Sequence, residues 1–85
     1  MNQGIGIFQA MTLIDQAGEM GFPKIQAELK RIGVEHLTNL MGNDQKKRIY
    51  NAMYHNDPVS ALKHLANYPS EGEPAVYEDE KVIIQ

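Results

Sequence analysis

The residues of this chain that could do chemistry are few and scattered. His36, His55 and His64 are the only imidazoles, and a zinc ion would need them to converge with a carboxylate such as Asp57. No two of them stand three or four residues apart, the separation that puts two ligands on one helical face. They read as surface or helix-end histidines, with His64 near the end of a helix, where a cation is mildly favoured. The hydroxyls Thr12, Thr38, Ser60 and Ser70 have no nucleophile setting. Gly4-Ile5-Gly6 begins like a phosphate loop but lacks the later glycine and a preceding strand. The chain has no Cys, which excludes thiolate chemistry, disulfides and the zinc sites built on cysteine. No metal, cofactor or enzymatic activity is expected, because short helices leave little room for a concave pocket.

Charge is the sharper signal. The formal net charge is −3, yet residues 23–48 carry Lys24, Lys30, Arg31, Lys46, Lys47 and Arg48 against Glu28, Glu35 and Asp44. Lys46, Lys47 and Arg48 fall in the expected first turn of a helix, where the helix dipole disfavours cations by about 0.3 to 1 kcal/mol each. With Lys30, Arg31 and His36 they are candidates to meet phosphates or an acidic partner surface. The plainer alternative is a solvated face, or one longer helix over 35–56 with no terminus there.

The helix, Gly33 and helix order over Ile25–Gly42 invites comparison with a helix-turn-helix reader of DNA. Leu29 stands where that motif wants a small residue, and Asn39 where it wants an apolar one. A helix-hairpin-helix would want a second glycine beside Ile32-Gly33-Val34. The stretch Leu29–Leu37 looks faintly like the last helices of sterile-alpha-motif domains, which are five-helix interaction modules, but a Gly-Val between helices is too common to assign a family.

The elements that must position these groups follow from periodicity and breakers. At 85 residues with 42% apolar and 22% charged content, the chain has room for one globular domain. Ile7, Met11 and Ile14, flanked by Phe8, Ala10, Leu13 and Ala17, predict a helix over about 5–20 that ends at Gly21. Pro23 opens a second helix carrying Ile25, Leu29 and Ile32 and ending at Gly33. Val34, Leu37, Leu40 and Met41 form a short third, closed by Gly42. Asn43 or Asp44 caps a fourth over about 45–56, with Ile49, Ala52 and Met53 inward and Tyr50 and Tyr54 at its border. Asp57-Pro58 starts a fifth, with Val59, Leu62, Leu65 and Ala66 as its buried stripe. The methionines 11, 20, 41 and 53, with Phe8 and Phe22, are expected in the core, the alternative being a soft groove for a partner helix.

The expected fold is therefore all-α, a compact bundle of four or five short helices over residues 1–69, followed by an acidic, partly extended tail over 70–85 that is flexible or docked. Ser70-Glu71-Gly72-Glu73-Pro74 reads as a linker. Glu78, Asp79 and Glu80 form an acidic cluster, and Val82, Ile83 and Ile84 are too apolar to be at ease in water. Gly4–Phe22 is interrupted by Gln9, Asp15, Gln16 and Glu19 and is no membrane span. With no Lys or Arg from Met1 to Thr12, the start lacks the pattern of a secretory signal, and a cytoplasmic location is expected.

The functional expectation is a small non-enzymatic regulator, adaptor or inhibitor that occupies a surface of a protein partner, in the manner of accessory factors of phages or mobile elements. Its candidate contact residues are Lys30, Arg31, Lys46, Lys47 and Arg48 with Tyr77, Glu78, Asp79, Glu80, Val82, Ile83 and Ile84. The alternatives are a nucleic-acid-binding module using the basic stretch 24–48 and a self-assembling structural subunit.

Overall fold

A computed structural model of the chain describes residues 4–73. Local backbone chemistry sets the element boundaries. Helix α1 (Ile7–Glu19) begins where Gln9 Oε1 accepts the Gly6 N–H at 3.2 Å. It ends in a Schellman turn, with Gly21 at φ +89°, the Phe22 N–H on the Ala17 carbonyl and the Gly21 N–H on the Gly18 carbonyl. Pro23 then opens α2 (Pro23–Ile32), and Gly33 separates it from α3 (Val34–Leu40). Met41 is extended, and its carbonyl accepts the Ile5 N–H at 2.8 Å, which pins the segment before α1 to the end of α3.

Helix α4 (Asn43–Tyr54) is distinct from α3 and begins two residues before the expected start. Gln45 Oε1 accepts the Gly42 N–H at 2.9 Å, repeating the Gly6/Gln9 arrangement. A second Schellman turn ends α4. Asn56 takes φ +55°, and the Asp57 N–H reaches the Ala52 carbonyl at 2.7 Å. Asp57 Oδ1 accepts the Ser60 N–H and caps α5 (Pro58–Leu65). The protein is all-α, with five helices and no strand among the described residues.

Helix α1 lies against α2, α3 and α4, while α5 packs on α2 and α4. The core between them holds Ile5, Leu13, Ile25, Leu29, Ile32, Leu37, Met41, Ile49 and Leu65, all essentially inaccessible to water. Two expected stripes are corrected. On α1 the buried residues are Ala10, Leu13 and Ala17, and Ile7, Phe8 and Met11 face outward, because the small alanines let neighbouring helices approach closely. On α5 the buried residues are Ala61 and Leu65, with Leu62 half-buried and Val59 and Ala66 exposed. Of the other methionines and Phe22, Met41 and Met53 are buried, while Met20 and Phe22 pack against the core from its edge.

The chain after α5 is tied down as far as Glu73. The Glu71 N–H donates to the Arg31 carbonyl at 2.6 Å, and His36 Nε2 donates to the Glu73 carbonyl at 2.8 Å. Glu73 Oε1 in turn accepts the Ser70 N–H at 2.9 Å. Residues 70–73 of the expected tail thus lie along the corner between α2 and α3.

Candidate functional site

The structure distributes the candidate cations over separate places. Arg31 is turned inward. Its Nη1 donates to the Tyr68 carbonyl at 3.0 Å and to Ser70 Oγ at 2.8 Å, its Nη2 to the Leu65 carbonyl at 3.0 Å, and its Nε to Glu28 at 3.1 Å. It joins α2 to the end of α5. Lys30 on the same helix is exposed. Lys46, half-buried, and the exposed Lys47 and Arg48 stand in the second turn of α4, not its first, since the helix starts at Asn43. The first turn holds Asp44, so the unfavourable meeting of cations with the positive end of the dipole does not arise. Helices α2 and α4 make no direct contact and are bridged by α5, so the candidate cations are divided between two separate helices. The other candidates, Tyr77, Glu78, Asp79, Glu80, Val82, Ile83 and Ile84, lie outside the described residues.

Two surface features offer themselves instead. The first is apolar. Ile7, Phe8 and Met11 on the first two turns of α1 are 61%, 84% and 48% exposed. Positions i, i+1 and i+4 share one side of a helix, so they form a single outward face, bordered by the exposed polar residues Thr12 and Asp15. The sequence carried the signal in a second apolar stripe, angled away from Ala10, Leu13 and Ala17, that one helix could not bury together with the first.

Comparison with known proteins adds no assignment. No protein-family model, curated protein or solved structure matches the chain. The functional reading rests on its own geometry.

The second feature is a cleft of about 430 Å³ between α4 and α5. Arg48 and His55 border it from the α4 side, Asp57, Ser60 and His64 from the α5 side, and Ile49, Ala52 and Ala61 supply apolar wall. His64 is half-exposed as a residue, but its Nε2 is buried and has no hydrogen-bond partner in the protein. Its ring meets Tyr68 edge-on at 5.7 Å. Burial, and then the positive charge of Arg48, holds the His64 imidazolium less stable than in water and lowers its pKa. Burial raises the Tyr68 phenol, and burial with the neighbouring Tyr54 raises Tyr50, whose ring stacks on Tyr54 at 6.2 Å. His55, Asp57 and His64 share the cleft without converging. Among the described residues no group of three His, Cys, Asp or Glu side chains could hold a metal ion, and no helix is long and apolar enough to cross a membrane.

The lowered His64 pKa makes stability depend on pH in a stated direction. The unfolded chain takes up the His64 proton first, at about pH 6.5. His64's contribution is therefore complete above that pH and is lost as pH falls through it toward the folded value. Melting temperature measured at about pH 7.5 and about pH 5.5 should fall further on acidification for the native chain than for His64→Gln. Equal falls would mean that His64 ionises alike in both states.

Proposed function

We propose that this protein is a small non-enzymatic binding protein, a regulator, adaptor or inhibitor, that acts by seating the α1 face of Ile7, Phe8 and Met11 on a protein partner. The observation that carries the reading is Phe8, a large aromatic side chain left 84% exposed on α1. Burying such a side chain is worth about 1.5 to 3 kcal/mol, and aromatic anchors with a polar border are what dominate protein interfaces. Nucleic-acid binding has weaker support, since Arg31 is engaged within the fold and the other cations of the stretch 24–48 are divided between α2 and α4, which make no direct contact.

The test is a pull-down from nuclease-treated lysate of the source cells with the full chain and with Phe8→Asp. A protein retained by the native chain should bind Phe8→Asp at least about tenfold more weakly. The variant's own stability should change by no more than about 0.5 kcal/mol, because the position is at the surface. A partner held equally by both chains removes α1 as the contact. Mass that rises with concentration for the native chain and not for Phe8→Asp would make the partner a second copy of the chain. A version ending after Glu73 then reports what residues 74–85 contribute. Ending at Pro69 would instead delete Ser70 and Glu71, which are bonded to Arg31.

A further inference from the structure

Residues 70–73 run in a definite direction. Ser70 Oγ accepts from Arg31 near the end of α2, the Glu71 side chain lies over Gly33, and the Glu73 carbonyl is bonded to His36 in the first turn of α3. Successive contacts at positions 31, 33 and 36 lay the chain alongside α3, heading toward the C-terminal end of that helix. The same end is where α1 is attached. Gly4 lies so close to the Thr38 carbonyl that a Cβ would collide with it, and the Ile5 N–H is bonded to the Met41 carbonyl. A chain continuing past Glu73 in this direction meets the start of α1, where Ile7 and Phe8 are exposed.

We propose that Val82, Ile83 and Ile84, which lie outside the described residues, fold back onto the α1 face of Ile7, Phe8 and Met11, so that a partner must displace them to use it. This adds a regulation to the α1 face and rests on the reading of that face as the contact surface.

Length permits the contact. Residues 74–84 reach up to about 36 Å when extended, against a path of at most about 30 Å from Glu73 past His36, Thr38 and Gly4 to Phe8. Chemistry favours it twice. Three consecutive aliphatic residues and an exposed Ile, Phe and Met each lose unfavourable contact with water on meeting. Helix α1 also has no acidic residue in its first turn and no side-chain cap at Gly6, so the positive end of its dipole is open to carboxylates. With Val82–Ile84 on the apolar face, Glu78, Asp79 and Glu80 fall beside that end. The opposite polarity would carry them past Met11 toward Asp15 and Glu19, on a helix with no Lys or Arg.

A face of three side chains is small for association between separate molecules. Within one chain the segment is present at an effective concentration on the order of millimolar, so a weak and displaceable contact suffices.

The experiment is paramagnetic NMR on the full, isotope-labelled chain with a nitroxide on Gln85→Cys, the single thiol in a chain that has no Cys. The expected result is selective loss of the Ile7, Phe8 and Met11 amide signals, unchanged on dilution, while Val59, Ser60 and Lys63 on α5, which does not pack on α1, keep theirs. Ile83→Asp and Phe8→Asp, each made in the labelled chain, should restore the α1 signals and leave the α4 and α5 amides in place. Equal loss on α1 and α5, loss that survives Phe8→Asp, or loss that fades on dilution because it arises between two copies, overturns the inference. Where the pull-down yields a partner, Ile83→Asp should retain more of it than the native chain, and equal or lower retention overturns the competition. Capture that depends on Phe8 without any docking of the tail strikes this inference alone. Docking with capture unaffected by Phe8→Asp strikes the functional reading of α1 and leaves the docking.

Discussion

Replacing Arg31 with Ala is expected to lower the stability of this protein by about 3 kcal/mol, read as the free energy of unfolding in urea. The side chain looks like a surface cation in the sequence and is a structural joint in the fold. An α-helix leaves its last carbonyls without internal partners, and α5 ends at Leu65 with only a short irregular stretch to cover them. Arg31 reaches from α2 to accept that task. Its Nη2 donates to the Leu65 carbonyl, while Nη1 donates to the Tyr68 carbonyl and Ser70 Oγ. Each bond from a charged donor to a part-buried acceptor is worth about 1 kcal/mol or somewhat more. The pair with Glu28 is about one third exposed on both sides and adds little, on the order of 0.3 kcal/mol. Glu28→Gln should therefore be nearly silent while Arg31→Ala is severe, with a melting temperature lower by about 15 °C for a domain of this size. Arg31→Lys should recover only a minority of the loss, because an ammonium group cannot span the three acceptors. An Arg31→Ala chain within about 1 kcal/mol of the native one would show that water replaces the guanidinium without cost.

The contrast between Arg31 and the helix boundaries shows what could be read from the sequence. Gly21, Gly33, Asn56, Asp57 and Pro58 act through their own backbone or that of their neighbours, and the breaks they announce are where the structure has them. The start of α4 was also written locally, in Gly42 and Gln45, but in a capping pattern with glycine where serine or threonine is usual. The buried face of α1 was ambiguous for a different reason. Ile7, Met11 and Ile14 outweigh Ala10, Leu13 and Ala17 in hydrophobicity, and only the approach of α2 and α3 decides that the small residues go inside. Ile5 was expected within the helix and instead lies ahead of it, buried and bonded to Met41. Arg31 was illegible because its acceptors lie 34 to 39 residues further along the chain. The cleft was equally hidden, since Arg48 and His64 belong to different helices and no spacing within either one announces their meeting.

Gly33→Ala is expected to cost about 2 to 3 kcal/mol, and more than the same change at Gly21. Gly33 has φ +88° and ψ 152°, a combination that is almost confined to glycine and costs a residue with a Cβ about 1 to 3 kcal/mol. It is required here because one residue must end α2 and begin α3, its N–H held by the Leu29 carbonyl and its carbonyl by the Leu37 N–H. The position is also crowded. A Cβ there would lie 3.1 Å from the Cβ and Cγ of Glu71, whose N–H is bonded to the Arg31 carbonyl. Gly21 also has a positive φ, +89°, but nothing lies within 4 Å of a Cβ built on it, so Gly21→Ala carries a backbone cost with no crowding added. Part of the Gly33 cost reports how firmly residues 70–73 are seated against the corner of α2 and α3. Combining Gly33→Ala with Glu71→Ala tests that directly, because part of the Glu71 side chain is removed while the torsional cost stays. The double change should then be less destabilising than the two single costs combined. A double change as destabilising as the two single costs combined would mean that Glu71 gives way freely and that residues 70–73 are held by Arg31 and not by their fit over Gly33.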